Sequence, residues 1–246
     1  MNRKSIASLV LAILAALAFS ICNGCFTPPA PPTSKAGTGI GAGGHVVSAR
    51  AQMAESNRME KAKATRAAAD AAITAQYRCT TNGGAITINR YIGSTRDAAI
   101  PGKINGLPVT AIGEGAFSSC ASLTNVTIPA SIVSIDEYAF SSCTGLTNVT
   151  IPASTRSLGS GVFWGCTGLI DVAVPTGIAT IPQYAYWGCT RLRWVTIPDN
   201  VTKIGVGAFW GCTNLPSVTI PRSVTSIGTD AFPRRTKVIR STAVPR

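Results

Sequence analysis

Histidine is almost absent from this chain: among 246 residues only His45 is one, and it lies in a Pro/Gly-rich stretch. Without imidazole elsewhere, a Ser, Cys or Thr nucleophile has no such base to activate it, and zinc loses a principal nitrogen ligand. Acids are also few, ten in all. Beyond residue 77 they are Asp97, Glu114, Asp136, Glu137, Asp171, Asp199 and Asp230, scattered over turn-like positions. Asp136 and Glu137 are neighbours, but adjacency on a loop does not make a general acid and base. These absences predict a protein that is not an enzyme and that uses no cofactor and no metal. Charged residues amount to only 13%, while Gly numbers 24 and Pro 15. Such a balance disfavours long amphipathic helices and suits short strands joined by many turns.

The formal charge of +12 is spread thinly. Arg3 and Lys4 precede an apolar run over residues 6–19, the pattern of an export leader, and one too short to span a bilayer comfortably. Residues 1–25 therefore read as a signal peptide or lipoprotein leader. Cys25 follows a small residue, Gly24, as a lipidation site requires, although Cys22 and Asn23 depart from the usual preceding pattern. Lipidation at Cys25, cleavage near Ser20 with secretion, and retention as an anchor all remain open at this point. Export conflicts with nucleic-acid binding, for which net charge is the sole argument. The densest basic cluster, Arg234, Arg235, Lys237, Arg240 and Arg246, falls in a tail over residues 233–246, where a terminal charge run is commonly just solvated.

Residues 26–45 contain TPPAPPTSKAGTGIGAGG, a linker in which prolines give stiffness and glycines give slack. GTGIGAGG lacks the Lys-Ser/Thr ending of a phosphate loop. Residues 46–76 have neither Gly nor Pro and are rich in Ala, Arg, Lys, Glu and Met, which predicts a single spacer helix. Its apolar positions are nearly all alanine, without a heptad of large residues. Residues 77–110 hold a predicted hairpin turning at Asn82-Gly83-Gly84, placed to cap the open edge of a stack of strands beginning at residue 111.

From residue 111 to 232 the sequence repeats every 23 residues without a slip. An aromatic column runs Phe117, Phe140, Phe163, Tyr186, Phe209, Phe232. Three residues after each aromatic comes Cys120, Cys143, Cys166, Cys189 or Cys212, and then a leucine column from Leu123 to Leu215. A fixed period in the twenties is the mark of a solenoid, where each unit buries its apolar face only against its neighbours. Alternation in Asn125-Val126-Thr127-Ile128 predicts a strand with Val126 and Ile128 inward, ended by Pro129. A turn-rich arm then brings Ile135 and Phe140 back to the core, with a short helix expected around Glu137 to Ser141.

The segments AFSSCASLTNVTIPASIVSI and INGLPVTAIGEGAFSSC resemble the BspA-type leucine-rich repeats of bacterial and protist surface proteins. That resemblance covers about residues 77–232. It implies a right-handed α/β solenoid of leucine-rich-repeat coils, used in adhesion and protein binding without a cofactor, and leaves the ligand open.

Equivalent cysteines in adjacent coils should lie roughly 4.8 Å apart with parallel side chains, whereas a disulfide needs converging Cβ atoms at roughly 3.8 Å. A ladder of buried thiols acting as small core residues is the expectation. The triplets at Asn125, Asn148 and Asn200 match a glycosylation acceptor pattern. Beside a bacterial leader they read as structural.

Two features exceed what a scaffold needs. After the aromatic column come Ser118 and Ser141, but then Trp164, Trp187 and Trp210. A run of exposed aromatics either packs on itself or binds something. The second is Trp194 with Arg191 and Arg193, where Trp194 replaces Asn125, Asn148, Asp171 and Ser217 of sister coils. Trp and Arg are residue types enriched at binding hot spots. The expected function is thus an exported, membrane-tethered, monomeric repeat protein that binds a protein or glycan. The alternative is a structural envelope spacer with no separate ligand.

Overall fold

The structure is a computed structural model that describes residues 49–241. The leader, Cys25, the Pro/Gly linker and residues 242–246 lie outside it. The alanine-rich stretch forms α1 (Ala49–Thr74), and its described side chains are exposed until Ile73, which reaches the core. A helix whose apolar positions are alanine has little to bury.

The chain then turns through β1 (Tyr77–Asn82) and β2 (Ala85–Tyr91), an antiparallel hairpin. At the turn Gly83 and Gly84 have φ of +54° and +80°, in the left-handed region that glycine enters without a Cβ penalty. Both tyrosines that bracket the hairpin cover Phe117. The Tyr91 ring stacks on it at 5.2 Å and the Tyr77 ring meets it edge-on at 6.2 Å, so the hairpin closes one end of the core.

The coils carry two rows of parallel strands. One row is β3 (Asp97–Ala99), β6 (Asn125–Thr127), β8 (Asn148–Thr150), β10 (Asp171–Ala173), β12 (Trp194–Thr196), β14 (Ser217–Ile220) and β16 (Lys237–Arg240). The other is β5 (Leu107–Ile112), β7 (Ser134–Ile135), β9 (Ser157–Leu158), β11 (Thr180–Ile181), β13 (Lys203–Ile204) and β15 (Ser226–Ile227). β4 (Lys103–Ile104) pairs antiparallel with β5. In β3, β6, β8 and β10 the central residue points inward, as Val126, Val149 and Val172 do, while its neighbours face out.

Between the rows runs the aromatic column. From Phe117 to Phe232 successive rings lie 4.8 to 5.4 Å apart and within 20° of parallel. Offset stacks of this kind add about 0.5–1.5 kcal/mol per pair beyond the area they bury.

The arm holds no helix, and this corrects the expectation at Glu137 to Ser141. Around each column aromatic from Phe117 to Phe209 two residues, two before and two after it, have left-handed φ: Tyr138 (53°) and Ser142 (57°) in this coil. One residue at positive φ ends a right-handed helix. The amides between them then go to the next coil, with Phe140 N–H donating to Val162 O at 2.9 Å and Ser142 N–H to Trp164 O at 2.6 Å. The coils are therefore strands and turns, a solenoid of stacked 23-residue units as the repeat predicts, and α1 is the single helix among the described residues.

The ends also differ from the strict repeat. Asp97 pairs with Asn125 at a separation of 28 residues, so the capping segment already contributes a coil, five residues longer through the β4 insertion. At the other end Ser217 pairs with Lys237, which makes the last coil three residues shorter. Lys237–Arg240 is thus not a free tail: its side chains are exposed, but its backbone is the terminal strand.

Candidate functional site

The cysteines contribute packing and a weak hydrogen bond. Cys143 Sγ donates to Phe117 O at 3.1 Å, Cys166 to Phe140 O at 3.0 Å, Cys189 to Phe163 O at 3.3 Å and Cys212 to Tyr186 O at 3.2 Å. Each thiol thus serves the carbonyl of the aromatic one coil before its own. All six described cysteines are free thiols. A hydrogen bond with the Cys166 thiol, followed by burial, holds the Cys143 thiol far above the ordinary range, and burial does the same first of all for Cys189. Neither is a nucleophile. Among the described residues no group of three His, Cys, Asp or Glu could hold a metal ion.

The three glycosylation-like asparagines are occupied. Asn125 Nδ2 donates to Asp97 Oδ1 at 2.6 Å. Asn148, with its amide turned to donate, reaches Asp171 Oδ1 at 3.2 Å. Asn200 Nδ2 donates to Ile178 O in the preceding coil.

The tryptophan run divides. Trp187 and Trp210 pack on each other at 6.1 Å, tilted by 35°, and Tyr184 meets Trp187 edge-on at 5.4 Å. Trp164 makes no ring contact among the described residues and is 42% exposed. It stands in an open groove of about 600 Å³ on the arm, lined also by Ser118, Tyr138, Ser141, Ser142, Tyr184 and Trp187. None of these side chains is charged, and Ser118 and Ser141 bond each other at 2.8 Å.

Sequence reasoning missed Tyr138 and Tyr184. The signal was present, because two before the column aromatic the chain has Gly115, Gly161 and Gly207 but Tyr138 and Tyr184 between them. Both tyrosines adopt left-handed φ, 53° and 58°. A bulky residue there is a genuine outlier, and such strain collects at functional positions.

Trp194 is placed elsewhere. It opens β12, beside Asp171 in the adjacent strand, and is 64% exposed. Arg191 and Arg193 are exposed with it and form no ion pair among the described residues. Of the six residues expected at a binding surface, the structure gathers Trp164 and Trp187 in the groove and packs Trp210 behind Trp187. It leaves Trp194, Arg191 and Arg193 as a separate patch outside the groove lining.

Stacked 23-residue turns with a leucine column and a parallel strand row define a leucine-rich-repeat solenoid, here with an exposed, uncharged aromatic groove on its arm. The chain belongs to the BspA type leucine rich repeat family, six copies of which match residues 110–239. Among solved structures it is similar to a leucine rich cell surface protein from Faecalibacterium prausnitzii A2-165, at 30% identity and a TM-score of 0.56. That alignment covers 65% of this chain and 51% of the other, so the chain spans about half of that protein's length. The T. pallidum leucine rich repeat protein is 26% identical, with a TM-score of 0.41 and coverage of 58% and 89%. A leucine-rich repeat protein from Bacteroides capillosus ATCC 29799 is 24% identical, with a TM-score of 0.32 and coverage of 68% and 94%. No curated protein matches the chain. Among the described residues no helix is long and apolar enough to cross a membrane.

Proposed function

We propose that the chain is an exported, non-enzymatic recognition protein of the bacterial envelope that binds a protein or glycan partner. Its N-terminus is tethered by lipid on Cys25, and the solenoid is monomeric. The partner-binding residues are Trp164 and Trp187, supported by Trp210, together with the patch of Trp194, Arg191 and Arg193. The observation that carries this reading is Trp164: a large aromatic, 42% exposed and unstacked, at a position where the two preceding coils place serine. The fold does not require it, and exposing it is costly unless something covers it. The surface location of the F. prausnitzii relative supports an envelope setting.

The test uses the full-length protein immobilised against envelope extract. A partner should be retained by the parent and lost on Trp164→Ser or Trp194→Ser, while Cys25→Ser should release the protein itself from membranes. Equal retention of a partner by the parent and both folded tryptophan variants would place the binding away from these tryptophans, and no partner retained by the parent would leave a structural spacer as the function.

A further inference from the structure

Resting on the reading of the groove as a binding site, we propose that its ligand is a proline-rich segment of a partner polypeptide, held in the polyproline-II conformation along the row of coils.

The chemistry of the lining points there first. Tyr138, Trp164, Tyr184 and Trp187 offer flat apolar faces, tyrosine O–H groups and indole N–H groups, with serine hydroxyls beside them. A polyproline-II chain makes no internal hydrogen bonds, so its carbonyls need outside donors, and its pyrrolidine rings pack against aromatic faces. A glycan presents vicinal hydroxyls that both donate and accept. Carboxylates and carboxamides, which accept through two oxygens or pair a donor with an acceptor, suit such groups, and the lining has neither. The absence of charge likewise fits a neutral segment rather than an acidic one.

Spacing agrees with this. Tyr138 and Tyr184 occupy the same position two coils apart, and the ring of each lies over a glycine of the next coil, Gly161 and Gly207. The core rings advance 5.4 Å from Phe140 to Phe163 and again from Phe163 to Tyr186. At the strands two coils advance by roughly 9.6 Å. A polyproline-II chain advances about 9.3 Å in three residues. Three ligand residues thus span nearly the two-coil advance, which is roughly 9.6 Å at the strands and twice 5.4 Å at the core rings, and so come within reach of both tyrosines, with Trp164 between them. Glycine leaves room beneath each ring, and Trp187 already meets the Tyr184 ring edge-on before the ligand arrives. A ligand already extended loses little freedom on binding.

The experiment titrates the full-length protein with decaproline, and in parallel with a Gly-Ser decapeptide and with cellohexaose, following tryptophan emission. Decaproline should give a saturable change that weakens at least tenfold in Trp164→Ser and in Tyr138→Gly and persists in Trp194→Ser, while the Gly-Ser peptide gives none. Both groove variants place a residue that sister coils already carry at that position, which keeps them folded. Decaproline binding that survives both variants would overturn the proposal. So would saturable, Trp164-dependent binding of cellohexaose in place of decaproline, which would make the ligand a glycan. No decaproline binding, alongside an envelope partner that still requires Trp164, would remove the proline-rich ligand and keep the binding site. Loss of that requirement as well would remove both.

Discussion

The ring of Tyr138 lies over Gly161, its counterpart one coil further on, so closely that a Cβ on Gly161 would collide with it. Tyr184 stands in the same relation to Gly207. From Tyr138 to Gly207 tyrosine and glycine thus alternate along one column, and Gly161 and Gly207 each make room for the ring before them. The left-handed backbone at these sites is required by the arm, whose amides bond from coil to coil, and glycine would satisfy it at no steric cost. A tyrosine there answers a demand other than folding.

Replacing Tyr138 by Gly should accordingly leave stability within about 1 kcal/mol of the parent. Relief of left-handed strain, about 1–2 kcal/mol, offsets the contacts of a ring that is itself 40% exposed. Urea denaturation measures this. A loss above about 3 kcal/mol, the scale of truncating a core aromatic, would show the ring to be part of the core.

Tyr186 is the one tyrosine in the column between Phe117 and Phe232, stacked between Phe163 and Phe209 and fully buried. Its hydroxyl has no hydrogen-bond partner among the described residues, and burial pushes its ionisation far above the ordinary range. An unsatisfied buried hydroxyl costs about 1–3 kcal/mol. Tyr186→Phe should therefore raise the urea midpoint, by about 1 kcal/mol in stability; an unchanged or lower midpoint would show that the hydroxyl is satisfied.

The thiols set the alkaline limit. Burial first, then the neighbouring Cys143, lifts Cys120 to about 11 against an ordinary 9.0, with Arg90 pulling slightly the other way. A group with a raised folded pKa contributes stability in full below its unfolded value and loses it as pH rises through the folded one. The urea midpoint should hold below pH 9 and fall between about pH 9 and 11, and fall less in Cys120→Ala. Alkylation of the native protein at pH 8 should reach exposed Cys79 while sparing Cys143, Cys166, Cys189 and Cys212 until unfolding. An equal fall in the parent and in Cys120→Ala would show that Cys120 ionises freely in the folded state and leave the loss to the other buried thiols.

Much of this was legible in the sequence, because a solenoid repeats one solution and every copy reinforces the reading. Phe140, Cys143 and Leu146 recur at fixed offsets, so periodicity alone gives their inward direction. What escaped was decided by backbone conformation and by broken periodicity. Glu137 to Ser141 has helical composition in a single copy, yet left-handed φ at Tyr138 and Ser142 commits its amides to the next coil. β3 and β16 were hidden because their coils are five residues longer and three shorter than 23, so the repeat frame did not extend to them. Trp164, Trp187 and Trp210 were visible as a run, but the sequence could not show that two of them pack together and leave the third open.

The Trp194 patch gives the last prediction. Trp194 is 64% exposed on a strand whose equivalent residue in the next coil is Ser217, so Trp194→Ser should change stability by no more than about 0.5 kcal/mol. Any loss of affinity then reports contact rather than unfolding. As a hot spot it should cost about 2 kcal/mol, roughly thirtyfold in affinity for the envelope partner. Arg191 and Arg193 are exposed and unpaired among the described residues, so their field reaches solvent and is screened by salt. With an acidic partner, Arg191→Ala and Arg193→Ala should weaken binding more at low ionic strength than at high. Because Trp194 does not line the arm groove, its loss should leave decaproline binding untouched. Two surfaces acting on one partner should show additive losses when Trp164→Ser and Trp194→Ser are combined. Binding to the partner that withstands Trp194→Ser but not Trp164→Ser would confine recognition to the groove and leave the arginine-flanked tryptophan without a role in it.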